Sequence, residues 1–127
     1  MYEKFEDLKG KVLKEVAVEN HEIRFVTVDG DIYRMFHYQD CCESVYVESV
    51  VGDVQDLIGE PILVAEEVTS CDNPEDAEVS EYQDSFTWTF YKLATRKGYV
   101  DIRWYGESNG YYSERVSFEK NGEGDYV

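Results

Sequence analysis

Apolar and polar residues alternate along most of the chain, which is the two-residue period of β-strands. Within residues 11–37 the alternation is broken at 19–21 and at Asp29-Gly30, a dipeptide typical of tight hairpin turns. This pattern predicts a three-stranded antiparallel meander. Ahead of it, residues 5–8 suffice for one turn of helix, which we expect to pack Phe5 and Leu8 on the end of the sheet.

The middle of the chain gives mixed signals. Residues 45–51 fit either a strand or the start of a helix. Asp53 is a good capping residue, and apolar residues follow it at helical spacing before Gly59, so we predict a short helix over residues 53–58. Pro61 then opens a predicted strand at 62–65. Residues 69–84 are polar and acidic, which predicts a loop that extends into solvent.

The strongest β signal covers residues 86–105, where two alternating aromatic segments flank the turn at Arg96-Lys97-Gly98. A second turn at 106–110 and a last strand within 111–120 follow, and residues 121–127 are expected to form a flexible tail. The predicted fold class is α+β, mainly antiparallel β. Residues 1–120 form a single compact domain with two hairpin or meander systems and one short helix. Six to eight strands fit either an open sheet or a small barrel.

Acidic residues are unevenly distributed along the chain. Residues 35–91 contain 14 of the 28 Asp and Glu and none of the 12 Lys and Arg, so this block carries most of the net charge of −16. Such a charge repels nucleic acid and anionic membranes and attracts basic protein surfaces. We therefore expect no direct binding to nucleic acid or membranes. The block is either a solvated surface or an imitation of the phosphate array of nucleic acid.

The cysteine count and the apolar runs indicate the compartment. No apolar run has the length of a signal peptide or a membrane span, so we expect a soluble, cytoplasmic protein. The chain has three cysteines, and an odd number is typical of free thiols in a reducing environment. The sequence therefore predicts no structural disulfide.

One group of chemically competent side chains lies within residues 37–43. His37, Asp40, Cys41, Cys42 and Glu43 are all metal-ligand types, and His37 could activate a cysteine nucleophile. No second Cys/His pair stands at zinc spacing, and a buried cysteine at a strand end is the more common case. We predict no metal site here. These five residues are candidate ligand-binding residues instead, with a Cys/His or metal-dependent enzyme as an alternative.

A second group combines aromatic rings with an arginine and polar side chains near a Gly-bounded turn. This is the mixture that ligand pockets use, with rings for stacking and a few polar groups for orientation. The alternative is a Tyr-rich hairpin whose rings pack on the sheet. The candidate ligand-binding residues of this group are Trp88, Tyr91, Arg103, Trp104, Tyr105, Glu107, Asn109 and Tyr112.

Common catalytic motifs are missing from the sequence. The chain has no Gly-rich phosphate loop, no Gly-x-Ser-x-Gly segment and no His-Glu-x-x-His segment. We therefore predict a non-enzymatic protein with no catalytic residues and no cofactor.

Several long strings resemble a family of small, uncharacterised proteins of bacteriophages and prophages. They are FEDLKGK (5–11), HYQDCCESVYVESVVGD (37–53), LIGEPILVAEEV (57–68) and WTFYKLATRKGYVDIRWYGESNGYYSERVSFEK (88–120). The resemblance implies a viral accessory protein rather than a metabolic enzyme.

Small phage proteins without catalytic motifs are often inhibitors of host defence, and two mechanisms fit this chain. In the first, the protein sequesters a nucleotide-derived immune signal in a pocket. In the second, it is an acidic mimic of nucleic acid that inhibits a basic host protein, such as a nuclease or CRISPR effector. We rank the ligand-binding protein first, the acidic inhibitor second and an enzyme third. A homodimer that covers exposed sheet edges is also plausible.

Overall fold

The computed structural model describes residues 4–39, 42–70, 85–108 and 113–120. Within these ranges the chain forms two four-stranded antiparallel sheets. In spatial order, the first contains β1 (Leu13–Val18), β2 (Glu22–Thr27), β3 (Ile32–Phe36) and β8 (Ser117–Lys120). The second contains β4 (Ser44–Val51), β7 (Gly98–Ser108), β6 (Ser85–Thr95) and β5 (Val64–Ser70).

The predicted meander is confirmed as β1, β2 and β3. Its second turn uses Gly30 at a φ of 96°, a left-handed conformation that glycine adopts without steric cost. The amide of Gly30 donates to the carbonyl of Thr27 over 3.0 Å, which closes the turn. β3 then pairs with β8, so the C-terminal strand completes the first sheet rather than extending the hairpin of β6 and β7.

The antiparallel β part of the predicted fold class is confirmed, but its helical part is not. The helix expected over 53–58 is a four-residue 3-10 turn, Val54–Leu57. Its predicted cap is present, because the Asp53 side chain accepts a hydrogen bond from the amide of Gln55. The turn ends because the following backbone pairs with β1: Ile58 bridges to Leu13, and the Gly59 amide donates to the Leu13 carbonyl over 2.9 Å.

Residues 45–51, which fitted either a strand or the start of a helix, belong to strand β4. Three other boundaries differ from the sequence prediction. β7 runs on to Ser108, into the turn predicted at 106–110. β5 begins at Val64 rather than at residue 62 and runs to Ser70, so residues 69 and 70 belong to a strand and not to the predicted acidic loop. β8 covers only Ser117–Lys120. The rest of the predicted loop, residues 71–84, and the predicted tail, 121–127, lie outside the described residues.

One hydrophobic core lies between the two sheets and includes side chains from both. Trp104 of β7 is fully buried, and its indole Nε1 donates to the sulfur of Met35 on β3 over 3.1 Å. Each large apolar side chain buried in this way contributes about 1.5–3 kcal/mol. The N-terminal 3-10 turn, Phe5–Leu8, closes one end of the core, as predicted. The ring of Phe5 packs 4.7 Å from Tyr91 and 5.4 Å from Phe118.

The two faces of β6 carry different chemistry. Tyr91 and Leu93 belong to the core, so Thr87 and Thr89, at the same two-residue period, also lie on the inner face. The aromatic residues between them lie on the outer face, where Trp88 packs 4.6 Å from the ring of Tyr105 on β7. The inner face of the second sheet is therefore apolar at one end and hydroxyl-rich at the other. No helix among the described residues is long and apolar enough to cross a membrane.

Candidate functional site

A cavity of about 800 Å³ lies at the hydroxyl-rich end of the inner face. Its walls come from the N-terminal 3-10 turn, from β5 and β6, and from residues 113–116, which we call the 113–116 segment. Its polar lining includes Glu67, Thr69, Thr87, Thr89, Glu114 and Arg115. Phe5, Val116 and Phe118 provide apolar surface.

The strand register explains why polar groups meet here. Thr69 of β5 stands directly opposite Thr89 of β6. Two residues along each strand, Glu67 stands opposite Tyr91 on the same inward face. Residues two apart on a strand share a face, and directly opposite residues on antiparallel strands have Cβ atoms about 5 Å apart. Four neighbouring inward-facing positions thus carry hydroxyl or carboxylate groups at the rim of the core, where Thr89 is buried and Glu67 and Thr69 are exposed.

Tyr91 connects the core to the cavity. Its ring is fully buried, and its hydroxyl donates to Oε2 of Glu67 over 2.8 Å. Burial first, and then the negative charge of Glu67, raise the pKa of Tyr91 far above its usual range, while the charge of Arg115 acts in the opposite direction. The phenol therefore stays protonated at neutral pH and serves as a hydrogen-bond donor to Glu67.

The 113–116 segment is held against the second sheet by Glu114. One carboxylate oxygen of Glu114 accepts from the Thr87 hydroxyl over 2.8 Å, and the other accepts from the Ser108 hydroxyl over 2.7 Å. Gly106 lies beneath this contact. A Cβ atom at Gly106 would stand 2.9 Å from the carbonyl oxygen of Glu114 and 3.0 Å from its Cβ, so glycine permits the close approach.

The 113–116 segment is also held from the side of the first sheet, by His37 just after β3. Nδ1 of His37 lies 2.7 Å from the carbonyl oxygen of Arg115, and Nε2 lies 2.7 Å from Oε2 of Glu43. Both side chains are almost fully buried. Gln39 adds a hydrogen bond from Nε2 to the carbonyl of Glu43 over 2.7 Å. Of the first predicted group, His37 and Glu43 thus come together and form a buried anchor for this segment.

The cysteine prediction was wrong. Cys42 is disulfide-bonded, which contradicts the expectation of three free thiols. The other cysteines, Cys41 and Cys71, lie outside the described residues, as does Asp40. A disulfide-bonded sulfur is no longer a thiolate nucleophile, so Cys42 in this state cannot act with His37 as the enzyme alternative requires. Among the described residues no group of three His, Cys, Asp or Glu side chains is placed to hold a metal ion.

Part of the second predicted group meets on the outer face of the second sheet. The Arg103 guanidinium stands over the Trp88 ring at 5.1 Å, and its Nε donates to Glu48 over 2.8 Å. The Tyr105 hydroxyl donates to Glu107 over 2.7 Å. Because Trp88 is 1% and Tyr105 is 5% exposed, their rings pack on other side chains and offer little open surface to a ligand.

The other members of that group are elsewhere. Trp104 and Tyr91 lie in the core on the inner face, with no ring face open for stacking. Asn109 and Tyr112 lie outside the described residues. A ligand-binding role for the whole set stays a prediction, but the described members do not form one pocket.

The cavity was not predicted from the sequence, because the local pattern of β6 indicates the opposite face as the buried one. The threonines of β6 alternate with Phe86, Trp88 and Phe90, and an aromatic series of this kind is usually the buried side of a strand. The structure places Thr87, Thr89 and Tyr91 inward instead. Contacts from the 113–116 segment, some 25 positions further along the chain, could not be read from local pattern.

One family model accounts for nearly all of the chain. It is described as a domain of unknown function, DUF7448, and it matches residues 6–118. The matched range includes the cavity walls from Glu67 to Phe118 and all but the end of the last strand. No curated protein and no solved structure matches the chain. The protein therefore belongs to the DUF7448 family.

Proposed function

We propose that the protein is a non-enzymatic ligand-binding protein that holds a small, nucleotide-derived molecule in the cavity beside β5, β6 and the 113–116 segment. The observation that carries this proposal is the row of inward-facing hydroxyl and carboxylate groups at Glu67, Thr69, Thr87 and Thr89, which adjoins a cavity of about 800 Å³. This volume lies within the usual range for small-molecule sites.

The lining has the composition of a recognition site. Phe5 and Phe118 supply aromatic surface, and hydroxyls and carboxylates supply directional hydrogen bonds. Lys4 and Arg115 bring positive charge to a protein that is strongly acidic overall, which suits a ligand with an anionic group.

Binding rather than catalysis is supported by the state of the reactive groups. Both ring nitrogens of His37 face acceptors, the Arg115 carbonyl and Glu43, so the imidazole is positioned as a structural link. The Tyr91 hydroxyl stays protonated and donates a hydrogen bond to Glu67. These groups favour a fixed hydrogen-bonding cavity over a nucleophile with an adjacent base.

In the setting that the sequence resemblance implies, this activity would sequester an immune signal. A phage-encoded protein in the host cytoplasm that binds a nucleotide-derived messenger lowers the free concentration of that messenger without any chemical step. The effect is stoichiometric, so it requires expression at or above the level of the signal.

Thermal-shift measurements on the whole chain test the proposal. A panel of mono- and dinucleotides, cyclic dinucleotides and ADP-ribose is added at 100 times the dissociation constant or at the highest soluble concentration. Saturation at that level stabilises the folded state by about 2.7 kcal/mol, which for a domain of this size shifts Tm by on the order of 10 °C.

Two neighbouring glutamates give a matched control for the site. Glu67 faces the cavity, whereas Glu66 is paired in register with Lys92 on the outer face. Glu67→Gln and Glu66→Gln remove the same charge from adjacent positions of one strand. Loss of the shift in Glu67→Gln alone supports the cavity, and a folded wild-type protein that no compound stabilises contradicts the proposed function.

The acidic inhibitor stays the second candidate. All 12 Lys and Arg but only 18 of the 28 acids lie in the described ranges, so the rest of the chain carries ten acids and no base. Capture of a basic host protein that weakens steeply with salt, and that is indifferent to Glu67→Gln, would favour this candidate instead. A homodimer likewise stays a prediction.

A further inference from the structure

We infer that the cavity recognises the ribose hydroxyls of its ligand, with Glu67 as the acceptor and Thr69 and Thr89 as the hydroxyl partners. This inference rests on the proposed function. It narrows the ligand to compounds with a ribose whose hydroxyls form hydrogen bonds with these side chains.

The first observation is the Thr89 hydroxyl. Thr89 is 3% exposed and lines the cavity, and no hydrogen bond joins its hydroxyl to another described residue. The Thr89 hydroxyl is not among the buried polar atoms that lack a partner in the described part of the chain, so it is open to the cavity rather than sealed in the core. The group is therefore available to a polar ligand atom inside the cavity.

The second observation is the spacing of three polar groups. Thr69 stands opposite Thr89 across the β5–β6 pair, and Glu67 lies two residues before Thr69 on the same face. A threonine hydroxyl both donates and accepts, whereas a carboxylate only accepts. Hydroxyl groups of a sugar both donate and accept as well, so a ribose satisfies all three positions at once.

The third observation is how the Glu67 carboxylate is held. The Tyr91 hydroxyl donates to Oε2, and because the Tyr91 ring is buried in the core, this hydrogen bond holds one oxygen of the exposed Glu67 side chain against the cavity. A carboxylate has acceptor sites for further donors. A carboxylate that accepts from a ribose 2′-hydroxyl is also the means by which dinucleotide-binding folds recognise that sugar, although the fold here is different.

The charge of the lining agrees with a sugar-reading site. Glu6, Glu67 and Glu114 outnumber Lys4 and Arg115, so the cavity as a whole does not favour a ligand with many phosphates. These charges favour a ligand that places one anionic group near Lys4 and Arg115 and its ribose against Glu67. The sugar ring then packs against the apolar side of the cavity.

Isothermal titration of ADP-ribose and of its deoxy analogue, which lacks the 2′-hydroxyl on both riboses, into the wild-type protein is the direct test, because it compares two ligands on one unmodified protein. Loss of one hydrogen bond to a charged group weakens binding roughly 10- to 100-fold. We expect that loss for the deoxy compound, and a comparable loss of ADP-ribose affinity for Glu67→Gln and for Thr89→Val. Glu66→Gln should bind ADP-ribose as the wild type does.

The outcomes separate this inference from the proposed function. Equal affinity for ADP-ribose and its deoxy analogue overturns the ribose inference while the binding function stands. If a cyclic dinucleotide binds tightly and Thr89→Val leaves its affinity unchanged, the ribose inference is likewise overturned and the binding function stands. Absence of binding by every compound overturns both. Circular dichroism of each variant distinguishes a lost contact from a lost fold, and the deoxy comparison requires no variant.

Discussion

Nε2 of His37 lies 2.7 Å from Oε2 of Glu43, and neither side chain is more than 5% exposed. The other ring nitrogen of His37 lies 2.7 Å from a carbonyl oxygen, that of Arg115, which can only accept. Both ring nitrogens of His37 thus lie at hydrogen-bonding distance from oxygen atoms of two separate segments. This geometry joins the loop after β3 to the 113–116 segment through one buried pair.

Removal of His37 should destabilise the protein strongly. His37→Leu leaves the buried carboxylate of Glu43 without its imidazole partner, and breaking a buried pair in this way costs about 3–5 kcal/mol. Glu43→Gln keeps a hydrogen-bonding side chain of the same size opposite a neutral imidazole, and should cost about 1–2 kcal/mol. Urea denaturation at pH 7 measures both. Equal effects of the two variants, or a His37→Leu effect below 1 kcal/mol, would contradict the pairing.

Insertion of a methyl group at Gly106 should displace the 113–116 segment. Gly106→Ala places a Cβ 2.9 Å from the carbonyl oxygen of Glu114, so the segment must move away from β7. Overpacking of this kind costs about 1–3 kcal/mol. Because the segment is one wall of the cavity, ligand affinity should fall as well. Chemical denaturation and titration check the two effects, and a variant with wild-type stability and affinity would show that the contact is not tight.

Stability should fall at alkaline pH through Tyr91. Its folded-state pKa is raised above the unfolded value near 10, so its contribution is complete below about pH 10 and is lost as pH rises beyond that. One such group lowers the free energy of unfolding by about 1.4 kcal/mol per pH unit. Tyr91→Phe should flatten this alkaline slope, at a cost of about 1 kcal/mol at neutral pH from the lost hydrogen bond to Glu67.

Denaturation curves between pH 8 and pH 11 measure the slope. Tyr99→Phe is the matched control, because Tyr99 is 65% exposed and the same hydroxyl is removed from the surface. If Tyr91→Phe and Tyr99→Phe retain the same alkaline slope, the buried Tyr91–Glu67 pair is not its origin.

The disulfide at Cys42 predicts a specific thiol count. The chain has three cysteines, so one internal disulfide leaves a single thiol that can be alkylated in the unreduced, denatured protein. Reduction beforehand should raise the number of alkylated cysteines to three. Mass spectrometry of the intact chain gives both numbers. Three alkylated cysteines without reduction would contradict the disulfide and agree with the three free thiols that the sequence predicts.

Local pattern predicted the strands of this fold well because each strand carries its own period and turn signals. The Asp29-Gly30 turn and the β6–β7 hairpin were both predicted from the sequence. Even the cap at Asp53 was correct, yet the helix ended after four residues because Ile58 pairs with Leu13, a contact of long sequence separation.

The candidate site could be predicted only in part, because it depends on which face of a strand turns inward. On β6 the local pattern favours the wrong side, because the side with Trp88 and Phe90 is more apolar than the side with Thr89 and Tyr91. Phe5 decides which side faces inward, because it packs on the Tyr91 ring from a distant part of the chain. Residues 37 and 43 were flagged by their chemistry, but their shared role with Arg115 required the tertiary structure.

We expect the ligand to bind on the inner side of the second sheet, in the cavity. Methyl NMR of the wild-type protein during titration with ADP-ribose tests it within one spectrum. The methyl groups of Thr69, Thr89 and Val116 line the cavity, whereas those of Val51 and Val68 are exposed on the outer face. We expect saturable chemical shift changes at the methyl groups of Thr69, Thr89 and Val116, and none at those of Val51 and Val68. Shifts at Val51 and Val68 with Thr89 unchanged would contradict it.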